Sequence, residues 1–143
     1  MSNLNRNKSG LFLMELIVVT LFFSVVAVIV LKIFIAGEKL STESQVLTNT
    51  VIQAQNAAQL IKSDSGKTES LCNYYGTEEK DGTITVYFDG KFVPSDDDNA
   101  SIKMVVTQTT SGEIVGSDID FIDILSNQSV YRLETETFTG RNR

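Results

Sequence analysis

The chain has 143 residues, of which 42% are hydrophobic, a formal net charge of −6 and no histidine. That length holds one modest domain plus an appendage. The acidic balance gives no support to a polyanion-binding surface, so no nucleic acid is expected as a partner, and the missing imidazole removes the commonest general base.

Residues 1–10, MSNLNRNKSG, are polar and carry Arg6 and Lys8. Residues 11–36, LFLMELIVVTLFFSVVAVIVLKIFIA, form an apolar block. As a helix at 1.5 Å per residue this block reaches about 39 Å, against a hydrocarbon core of about 30 Å, so it is long enough to cross a bilayer. The flanking Arg6 and Lys8 favour a cytoplasmic amino terminus and an exported carboxyl-terminal part. A secretory signal has an apolar region of about 7 to 15 residues followed by an A-x-A-like cleavage site, and this block is too long and lacks that sequel. Lys32, near the outer end, has a stem long enough to reach the headgroups without a protein partner.

Glu15 interrupts this block four residues after Leu11. An ionised carboxylate costs up to about 2.5 to 3.5 kcal/mol at the centre of a membrane helix. A plain anchor has no use for that cost. A positive group at the same depth on another chain offsets it, and cleavage between Gly10 and Leu11 creates one, a new α-amino group.

Lys8-Ser9-Gly10 followed by Leu11-Phe12-Leu13-Met14-Glu15 and an apolar helix resembles the cleavage and methylation motif of type IV prepilins and type II secretion pseudopilins. In that family a membrane-embedded prepilin peptidase cuts after the glycine and methylates the new amine, and the intact helix serves filament assembly. The resemblance implies that Gly10 precedes the cut, that Leu11 becomes the N-methylated terminus, and that Glu15 recruits the subunit. It implies as partners other pilin or pseudopilin subunits, the peptidase, membrane inner-core assembly proteins and the lipid bilayer. Residues 1–10 would be a leader and the mature chain a surface or periplasmic filament subunit. Two departures stand out: Leu11 replaces the usual phenylalanine, and the helix lacks the proline many members carry, Pro94 being the only one in the chain. Both lean toward a minor pilin or pseudopilin. Read without the family, the same residues also accommodate an uncleaved single-pass anchor carrying an extracytoplasmic binding module, with Glu15 hydrated near the interface.

Beyond the membrane block, Leu40, Leu47, Val51, Ala54, Ala58 and Ile61 recur at helical spacing, so an amphipathic extension is expected over 37–66, stopped at Ser63-Asp64-Ser65-Gly66. Residues 67–143 are expected to form a small antiparallel sheet. Ile84, Val86 and Phe88 alternate with polar positions, and Asp89-Gly90 predicts a type I′ turn into Lys91-Phe92-Val93. Ile102, Met104 and Val106 mark a second strand, Ile114 with Ile119 and Phe121 a third, and Tyr131 with Leu133 a fourth. Phe121-Ile122 breaks the alternation, which admits a bulge, an edge change or a short helix. The fold class is therefore α+β: a long amino-terminal helix, membrane half plus amphipathic half, packed on an antiparallel sheet, which is also the pilin-like architecture.

Side constellations are weaker. Asp96 and Asp98, in the run Asp96-Asp97-Asp98-Asn99, are candidate calcium ligands, as in some pseudopilins, but the spacing is not that of an EF-hand loop. Asp118 and Asp120 share a strand face, with Asp123 on the other, and read as exposed polar positions. Cys72 is the only cysteine and reads as a small packed side chain, Tyr74 and Tyr75 as core or lid, and Arg141 and Arg143 as a polar tail. With no histidine and no phosphate loop or nucleophile elbow, an enzyme would have to work through carboxylates alone, so no catalytic site is expected.

Overall fold

The computed structural model describes residues 2–140, with side chains from Lys8 onward. Its elements are a helix α1 (Ser2–Ser63), a short helix α2 (Glu69–Tyr75), and strands β1 (Glu79–Lys80), β2 (Thr83–Phe88), β3 (Ile102–Ser111), β4 (Ile114–Asp123) and β5 (Ser129–Phe138). The strands form one antiparallel meander in the order β1-β2-β3-β4-β5. The chain divides into two compact units, 1–44 and 45–143, so the carboxyl-terminal part of α1 belongs with the sheet. The boundary lies within the expected amphipathic segment rather than at its start.

In the second unit, α1 lays Ala54, Ala57, Ala58 and Ile61 into a core with Ile84, Val86, Phe88, Met104, Val106, Ile119 and Phe121. Alanines on this face let the helix backbone approach the sheet closely, and the large side chains come from the strands. The buried stripe follows the expected one through Ala54, Ala58 and Ile61, with Val51 half-buried, and departs from it upstream. Leu40 and Leu47 are exposed, and the stripe instead runs through the half-buried Val46 and the fully buried Thr50. Thr50 can be there because its hydroxyl donates to the Val46 carbonyl at 2.7 Å, which leaves no unpaired polar group.

The helix stops where Ser63-Asp64-Ser65-Gly66 predicts, by a Schellman motif: the Gly66 N–H donates to Ile61 O at 2.8 Å and the Ser65 N–H to Lys62 O at 3.2 Å. Ser65 rather than glycine takes the first left-handed position, with φ 56°, and Gly66 follows at φ 84°. The chain then enters α2, a helix inside the segment 67–143 expected to be sheet. Its Leu71 is fully buried, and Tyr75 stacks edge-on to Phe88 at 5.8 Å while its hydroxyl donates to Gln53 Oε1 at 2.8 Å. Burial, and then the neighbouring Tyr74, push the Tyr75 phenol up to about 12. Tyr74 itself faces outward.

Two turn assignments change. The two-residue type I′ hairpin is Asp81-Gly82, both with positive φ (51° and 73°), joining β1 to β2. At Asp89-Gly90, Gly90 has no positive φ and Lys91-Phe92-Val93 forms no strand. Asp89 Oδ1 accepts the N–H groups of Lys91 and Val93, and Phe92 takes the left-handed position at φ 61° because its ring is drawn into the core beside Phe88. Only Pro94 returns to bridge Phe88.

The irregularity at Phe121-Ile122 is a bulge, with the extra residue on β5: Phe121 pairs with Tyr131 and Ile122 with Ser129, so Val130 has no partner. Upstream of it, β4 buries Val115, Ser117, Ile119 and Phe121, and Ile114 lies on the outer face. The expected third strand is present, and Ile114, at an even position, stands on the opposite face from Ile119 and Phe121. Ile119→Ala is therefore expected to destabilise the sheet by about 2 to 5 kcal/mol, and Ile114→Ala by about 1 kcal/mol or less, read from urea unfolding of the full chain in detergent; equal losses would contradict the facing.

Candidate assembly and processing site

The first unit is a helix that is long and apolar enough to cross a membrane, and none of its most apolar stretch is buried by the rest of the chain. Every side chain from Lys8 to Gln45 is exposed. The large apolar residues between Leu11 and Ile35 are 37% to 70% exposed, around the whole circumference. In water such a surface would be intolerable, so lipid or other apolar helices are its proper surroundings. Phe23, Val26, Ala27, Val30, Leu31 and Phe34 form a shallow apolar groove at the i, i+3, i+4 spacing that a neighbouring helix ridge fits.

Three polar side chains occur between Leu11 and Leu31: Glu15, Thr20 and Ser24. The two hydroxyls are satisfied within the helix, Thr20 donating to Leu16 O at 2.8 Å and Ser24 to Thr20 O at 2.9 Å. Among the described residues nothing does the same for Glu15, which takes part in no hydrogen bond or ion pair. It is the one polar side chain of the apolar stretch without a partner among the described residues. Lys32 lies 17 positions further along, about 25 Å away on the helix axis, beyond reach of Glu15.

Gly10 sits inside α1, five residues before Glu15. Its backbone has ordinary negative φ, and a Cβ there would meet nothing within 4 Å. Glycine is therefore not demanded by space or by backbone geometry. What it does is weaken the helix, by about 0.8 to 1.0 kcal/mol relative to alanine, at the bond where the resemblance puts the cut.

The remaining candidates separate. Asp96 precedes the short 3-10 turn Asp97–Asn99 and Asp98 lies within it, all exposed. Among the described residues no group of three or more acidic, cysteine or histidine side chains is placed to hold a metal ion. Asp118 forms a two-pronged ion pair with Arg132, Asp120 accepts from the Ser129 hydroxyl at 2.5 Å, and Asp123 Oδ1 accepts from the Ser126 N–H and hydroxyl at 2.7 and 2.8 Å. These bonds to Ser126 hold the Asp123 carboxyl below its usual range. Each aspartate thus has a structural occupation, and Asp118 and Asp120 do share the outer face as expected. Cys72 is half-buried against the core, and burial, then Glu79, pushes its thiol up, which suits packing and not nucleophilic attack. Arg141 and Arg143 lie outside the described residues.

Gly10→Ala is expected to stiffen the helix locally. The amide of Met14, which donates to the carbonyl of residue 10, should exchange its hydrogen about fivefold more slowly in micelles, the equivalent of about 1 kcal/mol. An unchanged rate would mean that residue 10 does not limit helix opening there.

No protein-family model, curated protein or solved structure matches the chain, so nothing outside its own residues bears on the reading of this helix.

Proposed function

We propose that the chain is a pilin-like structural subunit, a minor pilin or pseudopilin of a type IV pilus, competence pilus or type II secretion pseudopilus. In this reading it enters the membrane once, with its amino terminus in the cytoplasm and residues 45–143 outside. Prepilin peptidase removes residues 1–10 and methylates Leu11, and the mature helix packs among the helices of other subunits. The observation that carries the reading is Glu15, the single polar side chain of the apolar stretch that finds no partner among the described residues.

The freed amine of a neighbouring subunit supplies that partner. Two charges that would each be costly in lipid become one ion pair, and removing either leaves the other buried and uncompensated. The helix surface supports the same reading. It is apolar on all sides, as a strand of a helical bundle in lipid must be, and the sheet unit carries the polar surface that an aqueous exterior requires.

A second reading has one observation in its favour. α1 runs from Ser2 through Gly10 without a break, as an uncleaved anchor of an extracytoplasmic binding module would. Under the filament reading that turn must unwind in the peptidase, which the glycine eases.

Mass spectrometry of the protein from membranes containing an active prepilin peptidase separates the two: a terminus at N-methylated Leu11 is expected, and an intact Met1 or Ser2 terminus would establish the anchor. Glu15→Ala is expected to insert and be cleaved normally yet fail to enter filaments; normal incorporation would remove the role given to Glu15.

A further inference from the structure

The two edges of the sheet are finished differently. β1 covers β2 for only two residues, and the rest of that edge is closed by side chain and loop: the Thr77 hydroxyl donates to Thr85 O at 3.0 Å, the Ser95 N–H to Tyr87 O at 3.0 Å and the Asp89 N–H to Val93 O at 3.0 Å. That is how folded proteins blunt an edge. β5, ten residues long, has no such cover among the described residues. Its register fixes which groups are free. Thr139 continues the ladder by donating to Glu113 O at 2.7 Å, so residues 131, 133, 135 and 137 bond to β4. The N–H and C=O groups of Arg132, Glu134, Glu136 and Phe138 therefore point away from the sheet. Among the described residues none of them bonds to a loop or cap.

The side chains along this edge have a sign and a period. On the outer face stand Arg132, Glu134 and Glu136, and the Arg132 guanidinium is already engaged by Asp118, leaving the edge acidic. On the inner face Tyr131 and Leu133 are half-buried against the core. Residues 45–143 hold 8 Lys and Arg against 15 Asp and Glu, so a second copy of this acidic unit is a poor occupant. We propose that β5 is a docking edge for an extended segment of a partner protein that adds a strand to the sheet, with basic residues alternating with apolar ones. The free main-chain groups supply affinity. Glu134 and Glu136 select Lys or Arg at one set of alternate positions, and Tyr131 and Leu133 select apolar residues at the other. This is independent of the fate of residues 1–10.

The test uses the full chain in phosphatidylcholine nanodiscs and, as probe, a ten-residue peptide of alternating lysine and valine, with the glutamate-valine peptide as control. Saturable binding of the first peptide only is expected, with amides 132, 134, 136 and 138 protected from hydrogen exchange. Glu134→Pro removes an outward N–H without touching the β4 ladder, so amides 133, 135 and 137 should stay protected while peptide binding falls about tenfold. The charge reversal Glu134→Lys with Glu136→Lys should abolish it and serves if the proline variant unfolds. Absence of saturable binding, or binding that is unchanged in both variants, overturns the proposal, since the peptide would then be held by the overall negative charge alone.

Discussion

From Leu11 to Leu31 the chain has one ionisable side chain, Glu15, in a helix whose remaining surface is apolar on every side. In lipid an unpaired carboxylate at that depth costs on the order of 3 kcal/mol, a large part of what holds a small domain together. The chain answers its other polar groups there locally, by turning the Thr20 and Ser24 hydroxyls back to the preceding turn. Glutamate has no donor to give to a carbonyl, so that local solution is closed to it. In the proposed assembly the answer comes from a second chain, and the rest of the first unit follows from the same need: an apolar circumference to pack on, and a weak helical turn at Gly10 where a new amine can be released.

The two compact units meet their solvents by different means along a single helix. From Lys8 to Gln45 every side chain of α1 is exposed. From Val46 onward one face closes on the sheet, through Thr50 and the alanines at 54, 57 and 58 to Ile61. Small side chains on the helix and large ones on the strands make that junction close, and Phe88 ties it together by meeting Tyr75 from α2, Phe92 from the turn and Phe121 from β4. The acidic side chains remain on the outer sheet face and the loops, where water and Arg132 accommodate them.

Much of this was legible in the residues, and the failures have physical causes. Fold class, the helix stop at Ser63-Asp64-Ser65-Gly66 and the inner faces of β2 and β3 follow from periodicity and turn chemistry. Hydropathy passes over Thr50, because a hydroxyl that bonds to its own helix behaves as a core group, and so the amphipathic stripe was drawn through Leu40 and Leu47 instead. Asp81-Gly82 and Asp89-Gly90 are the same dipeptide. Only the first adopts the hairpin turn, since burial of Phe92 draws the chain at the second into a different path. In β4 the inner face at its start is carried by Val115 and Ser117, one of them polar, so hydropathy alone does not show on which face Ile114 stands. Of the candidate site, Glu15 is legible as a charge inside an apolar run, and Gly10 and Leu11 through the resemblance of their motif. That Glu15 alone lacks a partner among the described residues emerges only once the neighbouring hydroxyls are placed.

The charge state of Glu15 in the assembled form is the most direct measure of this account. Infrared difference spectra between filaments of the natural chain and of Glu15→Gln, at neutral pH, isolate its carboxyl group. The account predicts the antisymmetric stretch of an ionised carboxylate, paired with a neighbour's terminal amine. The carbonyl band of a protonated acid would contradict it, because a neutral Glu15 needs no partner and gives the freed terminus nothing to meet.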